Sequence, residues 1–551
     1  MSLPISQLQS YFNLHPKDKT DKFVYGTAGF RMHNSKLDSI VFRTGILAVL
    51  RSKFSHSQTI GIMITASHNP PEDNGIKMVD PMGEMLNQNW ESFATRLSNC
   101  NKFNEFIDVI NEIVDSNNID LSKPAKVIIA RDSRDSGERL LKCVIDGISS
   151  LNGDYQDFGL LATPQLHYLT RACNDSSFGK ATEDGYYEKL SGSFISILEL
   201  WNAPKEIADI KSIDITIDAA NGIGAYAIGK LSPFLKDIIN FTVINSKYNE
   251  PSALNVDCGA DFVKTNQKLP SSSSSSSSPF TPNQLYCSFD GDADRIVFYY
   301  YNETTGFHLL DGDRIATLLA SFISSLLENL DTDLKLGIVQ TAYANGSSTN
   351  FIKDELKLPV SFTPTGVKHL HHEASKNYDI GIYFEANGHG TVLFSNKFIE
   401  TLKNYKIENK NNNQDLEFKS LETLQILVDL INQTVGDSIS DLLTVLVALR
   451  LPVEKTPQDW FANYKDLPNK LLKVIVKDRL AFKTTNAERT LVEPAGLQDK
   501  IDKLVSKYPN GRSFVRASGT EDAVRIYAEA DTKENCQELA DSVAELVKQF
   551  S

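Results

Sequence analysis

The chain has 551 residues, 41% hydrophobic and 23% charged, with a formal net charge of -14 and an isoelectric point near 5.3. At roughly 150 residues per domain that length predicts three or four domains, and the acidic balance excludes an extended positive face for nucleic acid or an anionic membrane surface. Six cysteines, Cys100, Cys143, Cys173, Cys258, Cys287 and Cys536, lie scattered without a C-x-x-C pair, so neither a disulfide scaffold nor a zinc site is indicated and a reducing compartment fits. The first twenty residues hold no apolar signal-peptide core, and no run approaches the ~20 apolar residues of a membrane span, so a cytoplasmic protein is expected.

In chain order, "YGTAGFRM" comes first and puts Arg31 beyond a glycine-rich turn. "TIGIMIT" then reads as a strand, and Asn69-Pro70-Pro71 ends regular structure, because proline lacks a ladder donor and biases its predecessor away from helix. Ser67 in "ITASHNPPEDNGIKM" is therefore displayed at a strand end. "KVIIARD" is a further strand, and "RDSRDSGERL" combines charges with a helix start. "ITIDAA", "IINFTVIN" and "LYCSFD" form a second block of strands, and "LKLGIVQ", "IGIYFE" and "TVLF" a third. Helical patterns separate these runs, and such alternation predicts parallel sheets of the α/β kind.

The last hundred residues differ. "LLKVIVKD", "RSFVRAS" and "AVRIYAEA" precede one closing helix whose Cys536, Leu539, Val543, Leu546, Val547 and Phe550 share a face, the pattern of a separate α+β domain. The eight-serine run Ser271 to Ser278 and "ENKNNNQD", Glu408 to Asp415, cannot bury apolar surface and are expected to be exposed inserted loops.

Three stretches carry chemistry. In "SFDGDADRIVFYY", Asp290, Asp292 and Asp294 recur at every second residue between apolar runs. Like charges this close repel unless a cation sits among them, and oxygen ligation favours Mg²⁺, Ca²⁺ or Mn²⁺ over zinc. An EF-hand is excluded because its glycine and glutamate positions hold Arg295 and Tyr301. In "RASGTEDAVRIYAEA", Ser518, Gly519 and Thr520 offer hydroxyls and backbone N–H groups, and Arg516 and Arg525 offer forked donors suited to phosphate. Read alone, Ser-Gly-Thr also makes ordinary turns. In "YFEANGHGTV", Glu385, Asn387 and His389 crowd around Gly388 and Gly390, a polar set that suits sugar hydroxyls but equally a plain hairpin loop.

Taken together, "TASHNPPEDNGIK", "DGDADR", "EANGHG" and "RASGTE", in that order over nearly the whole chain, resemble the four signature loops of the α-D-phosphohexomutases. The resemblance implies an α/β protein: three consecutive α/β domains plus a C-terminal α+β domain, similar to the TATA-box-binding protein, around a central cleft. The expected division is 1–185 with the phosphoserine loop, 186–298 with the metal-binding loop, 299–452 with the sugar-binding loop and 453–551 with the phosphate-binding loop. Within that superfamily the chain resembles the eukaryotic phosphoacetylglucosamine mutase branch. Its sugar loop reads "EANGHG", where glucose-phosphate mutases carry a different glutamate-serine loop. "ARDSRDSG" also follows Ser67, whereas phosphohexomutases generally place a "GRD-x-R" strand before the serine loop.

The resemblance implies that Ser67 is a phosphoserine in the resting enzyme. Ser67, Asp290, Asp292 and Asp294 would hold one Mg²⁺ per active site, and Arg31, Lys77 and Arg295 would meet the remaining phosphate charge. The reaction implied turns N-acetylglucosamine 6-phosphate into the 1-phosphate, for UDP-N-acetylglucosamine biosynthesis, with a sugar 1,6-bisphosphate as intermediate and activator. Glu385, Asn387, Gly388 and His389 would bind the sugar, while Arg516, Ser518, Gly519, Thr520 and Arg525 would grip the phosphate that is not reacting. Lys77 matches the family's acid/base, a role suited by burial and neighbouring cations. His68 is the alternative, ranked lower because adjacent residues on an extended segment point to opposite sides. The partner expected is a small phosphosugar, with no nucleic acid and no membrane. The rival readings are a phosphoglucomutase-like enzyme of other sugar specificity, or an inactive sugar-phosphate binding protein on the same fold. A Ser-His hydrolase would need a G-x-S-x-G elbow or a distant histidine with an orienting acid, and neither is evident.

Overall fold

The apolar run Thr59–Ile64 is buried along its whole length, as a strand flanked on both sides and covered on both faces must be. The computed structural model to which it belongs describes residues 3–26, 28–202, 211–271, 280–406, 414–518 and 522–550. The chain forms two compact units, residues 1–309 with 426–447, and residues 310–425 with 448–551.

In the first unit, β1 (Phe30–His33), β2 (Thr59–Ile64), β3 (Asp73–Val79), β4 (Lys126–Arg131) and β5 (Asp154–Leu160) make a sheet in the order β1-β3-β2-β4-β5. A second sheet holds β6 (Ile213–Asp218), β7 (Ile239–Ile244), β8 (Tyr286–Phe289), β9 (Ile296–Asn302) and β10 (Gly306–Leu310), in the order β10-β9-β8-β6-β7. The second unit has a sheet of β11 (Leu336–Thr341), β12 (Val360–Thr363), β13 (Ile380–Phe384) and β14 (Gly390–Phe394), in the order β12-β11-β13-β14. It also has β15 (Asn469–Ile475), the hairpin β16 (Lys483–Thr485) and β17 (Thr490–Glu493), and β18 (Arg512–Ala517) with β19 (Ala523–Glu529); β15, β19 and β18 form an antiparallel sheet in that order.

The expected parallel sheets are in fact mixed. β2, β4 and β5 run parallel, as do β7, β6 and β8, and β12, β11 and β13. However, β3 returns antiparallel to β2, β9 to β8 and β14 to β13. The reason is connection length: a parallel crossover needs about a dozen residues or more, and these pairs are joined only by the serine, aspartate and sugar loops. β3 escaped the sequence reading because Asp73, Asn74 and Lys77 interrupt its apolar pattern.

The closing helix Lys533–Gln549 buries Cys536, Leu539, Val543 and Val547, and Leu546 and Phe550 pack against the same core half-buried, as the spacing predicts. Most of the two low-complexity stretches lies outside the described residues; Ser271 is exposed, and Asp415 belongs to the helix Gln414–Leu430. Among the described residues no helix is long and apolar enough to cross a membrane.

Candidate active site

Three residues beyond the end of β2, Ser67 is buried and has a left-handed backbone, φ 51°. A non-glycine residue keeps that conformation only where its surroundings over-determine it. The Ser67 N–H donates to Thr65 Oγ1 at 3.0 Å, and the Thr65 hydroxyl donates to Asp132 Oδ2 at 2.7 Å. The Ser67 carbonyl accepts from Arg134 Nη2 at 2.8 Å and from Asn255 Nδ2 at 3.0 Å. Arg134, with a side chain fully removed from solvent, uses the remaining guanidinium donors on the carbonyls of Asn69 (2.9 Å), Pro70 (2.6 Å) and Asp73 (2.8 Å) and on Asp132 Oδ2 (3.1 Å). Asn255 Nδ2 also reaches the Asn69 carbonyl, at 3.1 Å. Locally "RDSRDSGERL" shows only charges and a helix start, which the helix Gly137–Ser150 provides, and carries no signal of this brace.

The left-handed turn also changes the position of His68. Rather than pointing away, its Nδ1 lies 3.4 Å from Ser67 Oγ and 3.4 Å from Asp261 Oδ2. Burial, Arg295 and Arg31, opposed chiefly by Asp261, lower its pKa to about 4.

Asp290, Asp292 and Asp294 are all buried, and each presents an oxygen within 4.8 Å of the others. The loop reaches Ser67 directly: the serine hydroxyl donates to Asp290 Oδ2 at 2.6 Å. A Cβ on Gly291 would stand 2.5 Å from the Ser67 carbonyl oxygen, so only glycine permits this approach. Asp290 Oδ1 accepts the N–H groups of Asp294 and Arg295 at 3.1 and 3.2 Å. Thr163 donates its hydroxyl to Asp292 Oδ2 at 2.6 Å and its N–H to the Asp292 carbonyl at 3.0 Å. From the other side Ser438 donates its N–H to the Ala293 carbonyl at 3.1 Å and its hydroxyl to the Arg295 carbonyl at 2.6 Å. Thr163, Ser438 and Asn255 are far from the motif in sequence, and no local pattern marks them.

The cations around this loop are differently arranged from the expectation. Lys77, on β3, sits 3.2 Å from both Asp292 Oδ2 and Asp294 Oδ2, between carboxylates rather than among cations. Arg295 Nη1 binds Asp261 at 3.0 and 3.3 Å, and its Nε lies 3.8 Å from Asp290 and from Asp294. Arg31 lies on β1, and burial and Arg295 lower its pKa against the pull of the three aspartates. Burial, then Asp294 and Asp292, push the Asp290 carboxyl well above the usual carboxylate range. Burial acts on Asp292 in the same direction, but Lys77, the Thr163 hydroxyl and Arg31 bring it below that range.

The residues fit a hard divalent cation. Asp292 Oδ1 is buried without a hydrogen-bond partner among the described residues, so a lone pair is left for a metal, and all donors are oxygens.

In the second unit, "EANGHG" joins β13 to β14. The Glu385 N–H donates to the His389 carbonyl at 2.9 Å, the Gly388 N–H to the Glu385 carbonyl at 2.8 Å and the His389 N–H to Asn387 Oδ1 at 3.1 Å. The helix Gly312–Leu327 begins against this loop, and a Cβ on Gly312 would stand 1.9 Å from the Glu385 carbonyl oxygen. Arg516, on β18, donates from Nε to the Tyr343 hydroxyl at 2.9 Å and from Nη1 to Glu488 Oε1 at 3.2 Å. Arg525 stands directly opposite it on β19, and the buried Ser518 Oγ has no hydrogen-bond partner among the described residues. Gly519 and Thr520 lie outside the described residues.

Family models match in four places. "Phosphoglucomutase/phosphomannomutase, alpha/beta/alpha domain I" covers 41–105 and 99–179, "Phosphoacetylglucosamine mutase AMG1, domain II" 176–297, and "domain III" of the same protein 311–452. "Phosphoglucomutase/phosphomannomutase, C-terminal domain" covers 471–546. The phosphoacetylglucosamine mutase of Candida albicans is 55% identical over 98% of this chain and 99% of its own length. The chain belongs to the phosphoacetylglucosamine mutase family. Of the solved structures, an N-acetylglucosamine-phosphate mutase of the α-D-phosphohexomutase superfamily, in its substrate complex, is 56% identical over 99% of this chain and 100% of its own, with a TM-score of 0.92. The Aspergillus fumigatus N-acetylphosphoglucosamine mutase, in complex with GlcNAc-6P and magnesium, is 45% identical over the full length of both chains, with a TM-score of 0.91. The matched segments of this mutase family contain all four loops: Ser67 in the first, the aspartates in the second, "EANGHG" in the third and "RASGTE" in the fourth.

Proposed function

We propose that the chain is a phosphoacetylglucosamine mutase. It interconverts N-acetylglucosamine 6-phosphate and N-acetylglucosamine 1-phosphate through a phosphoserine at Ser67 and a sugar 1,6-bisphosphate, in the supply of UDP-N-acetylglucosamine. The observation that carries this reading is the Ser67 hydroxyl donating at 2.6 Å to a buried carboxylate of the aspartate triad. A phosphoserine carries about -1.5 to -2 charge at neutral pH, and a site with three carboxylates tolerates that only with cations.

Asp290, Asp292 and Asp294, with an oxygen of phospho-Ser67, would hold Mg²⁺. When bound, Mg²⁺ neutralises charge on the transferring phosphoryl group. The free sugar hydroxyl attacks the phosphorus, its O–P bond forms as the Ser67 Oγ–P bond breaks, and the hydroxyl proton passes by way of Lys77 to the freed Ser67 Oγ. Arg31 and Arg295 meet the remaining phosphoryl charge. The bisphosphate then turns and returns its other phosphate to Ser67, so released bisphosphate also rephosphorylates and activates a bare enzyme. Glu385, Asn387, Gly388 and His389 bind the sugar, and Arg516, Ser518, Gly519, Thr520 and Arg525 hold the idle phosphate. A second reading of the proton's acceptor is His68, favoured by its 3.4 Å approach to Ser67 Oγ.

The four family-model matches support a division at 1–185, 186–298, 299–452 and 453–551. Six free cysteines support a site of action in the cytosol.

The test is phosphorus NMR with Mg²⁺ and a trace of sugar bisphosphate, offering N-acetylglucosamine 6-phosphate and glucose 6-phosphate separately. Conversion of the acetylated sugar, lost in Ser67→Ala, is the expected result. Preference for glucose would indicate a phosphoglucomutase-like enzyme, and no conversion of either a binding protein. In the same assay Lys77→Met should lose turnover; if it does not and His68→Gln does, the acid/base is His68.

A further inference from the structure

Asn486, Ala487 and Glu488, in the turn between β16 and β17, have consecutive positive φ angles of 51°, 55° and 64°. Three left-handed non-glycine residues in a row are strained and persist only where contacts hold them. The Glu488 carboxylate supplies several of those contacts. Oε2 accepts the N–H of Thr365 at 2.9 Å and its hydroxyl at 2.6 Å, while Oε1 accepts from Arg516 Nη1 at 3.2 Å. The strained turn thus delivers a negative charge onto the arginine that opens the phosphate loop.

That charge is opposite in sign to the cations on the neighbouring strands. Arg516 stands opposite Arg525 on β19, and Arg525 stands opposite Lys473 on β15, so three cations form one row across the sheet. Like charges directly opposite on a sheet repel, and they are stabilised by an anion laid over them. The buried Ser518 hydroxyl is a further group suited to such an anion. Arg516 also has a neutral support in the Tyr343 hydroxyl, at 2.9 Å. A phosphate arriving at Arg516 must share its guanidinium with Glu488 or displace it.

We infer that Glu488 is a release element: its carboxylate competes with the substrate's idle phosphate for Arg516 and keeps that grip loose enough for the bisphosphate to let go and turn. The inference rests on the reading of Arg516, Ser518 and Arg525 as phosphate-binding residues. A mutase needs such a device more than a one-way transferase, because the same remote site must hold first one phosphate of the bisphosphate and then the other. Grip that is too strong would trap the intermediate in one orientation, since binding energy that stabilises the held intermediate and is lost as it turns adds to the barrier for turning.

The experiment is calorimetric titration of N-acetylglucosamine 6-phosphate, with Mg²⁺, into Ser67→Ala protein that cannot turn over. It is repeated with Glu488→Gln and with Glu488→Ala added. The glutamine keeps an oxygen for Thr365 and removes the charge from Arg516, the alanine removes both contacts, and an unfolding curve that matches the parent's shows that each variant is folded. Tighter binding, by about threefold or more, is expected in the Glu488 variants. With Ser67 present, Glu488→Gln is expected to lower KM and kcat together, whereas a merely structural role would leave KM unchanged or raise it. Weaker or equal binding in the Glu488 variants, with normal binding by the Ser67→Ala parent, overturns the release role alone. Absence of binding by that parent overturns the phosphate-site reading and the release role with it.

Discussion

Replacing Arg134 by lysine keeps the charge and removes the fork. All five guanidinium donors are engaged, on the carbonyls of Ser67, Asn69, Pro70 and Asp73 and on Asp132, at 2.6 to 3.1 Å. Lysine offers three donors, so at least two of these partners are left without one. Two of the guanidinium's charge-assisted bonds are therefore lost, although the Ser67 and Asn69 carbonyls keep Asn255 and the Pro70 carbonyl keeps the Asp73 N–H. Two charge-assisted hydrogen bonds at about 1.5–3 kcal/mol each give a local destabilisation of about 3–6 kcal/mol. The turn that holds Ser67 left-handed then relaxes, and a displacement of about 1 Å at a reacting atom costs on the order of 100-fold in rate. The assay is steady-state conversion of N-acetylglucosamine 6-phosphate, with thermal unfolding beside it. The expected result is a fall in kcat with KM nearly constant and a lower melting temperature, because Arg134 lies behind the nucleophile and orients it without contacting the substrate. A kcat within a factor of about three of the parent, with unchanged unfolding, would refute the positioning argument.

Gly291→Ala puts a Cβ 2.5 Å from the Ser67 carbonyl and 3.0 Å from Asn255 Nδ2, so the serine and aspartate loops must separate. Activity should be lost, and the rise in thermal midpoint on adding Mg²⁺ should shrink; a full Mg²⁺ shift in the variant would contradict this. His371, half-buried against the Tyr383 hydroxyl at 3.0 Å, has its pKa lowered from 6.5 to about 4 by burial and then by His372. Below pH 6.5 the unfolded chain takes up a proton that the folded chain refuses, so this residue's contribution is intact above 6.5 and is lost as pH falls toward 4, by about 3 kcal/mol. His371→Gln should therefore lose less stability than the parent between pH 6.5 and 4.5 in denaturant unfolding, and parallel curves would disprove the assignment.

Much of the chemistry is compressed into short stretches, and for that reason it is legible in the sequence. Three aspartates in five residues between apolar runs point to a cation site, and the structure buries all three and leaves an Asp292 oxygen unpartnered among the described residues. The strand before Ser67, the proline stop after it and the helical stripe of Lys533–Gln549 are equally local. By itself, then, the sequence determined most of the elements, the order of the loops and the kind of cation they suit.

What holds those loops in place was decided by tertiary structure. Asn255 reaches Ser67 across 188 positions of sequence, and Lys77 meets Asp292 across 215. Thr163, Ser438 and Glu488 belong to segments whose own composition says nothing of aspartate or arginine loops. Even a neighbour's direction is set this way: His68 turned toward Ser67 Oγ because Arg134 and Asn255 hold the serine in the left-handed region, against the alternation an extended segment would impose. The physical reason is range: periodicity and turn chemistry act within about ten residues, whereas a buried polar group takes its partner from whichever chain segment the packing brings alongside.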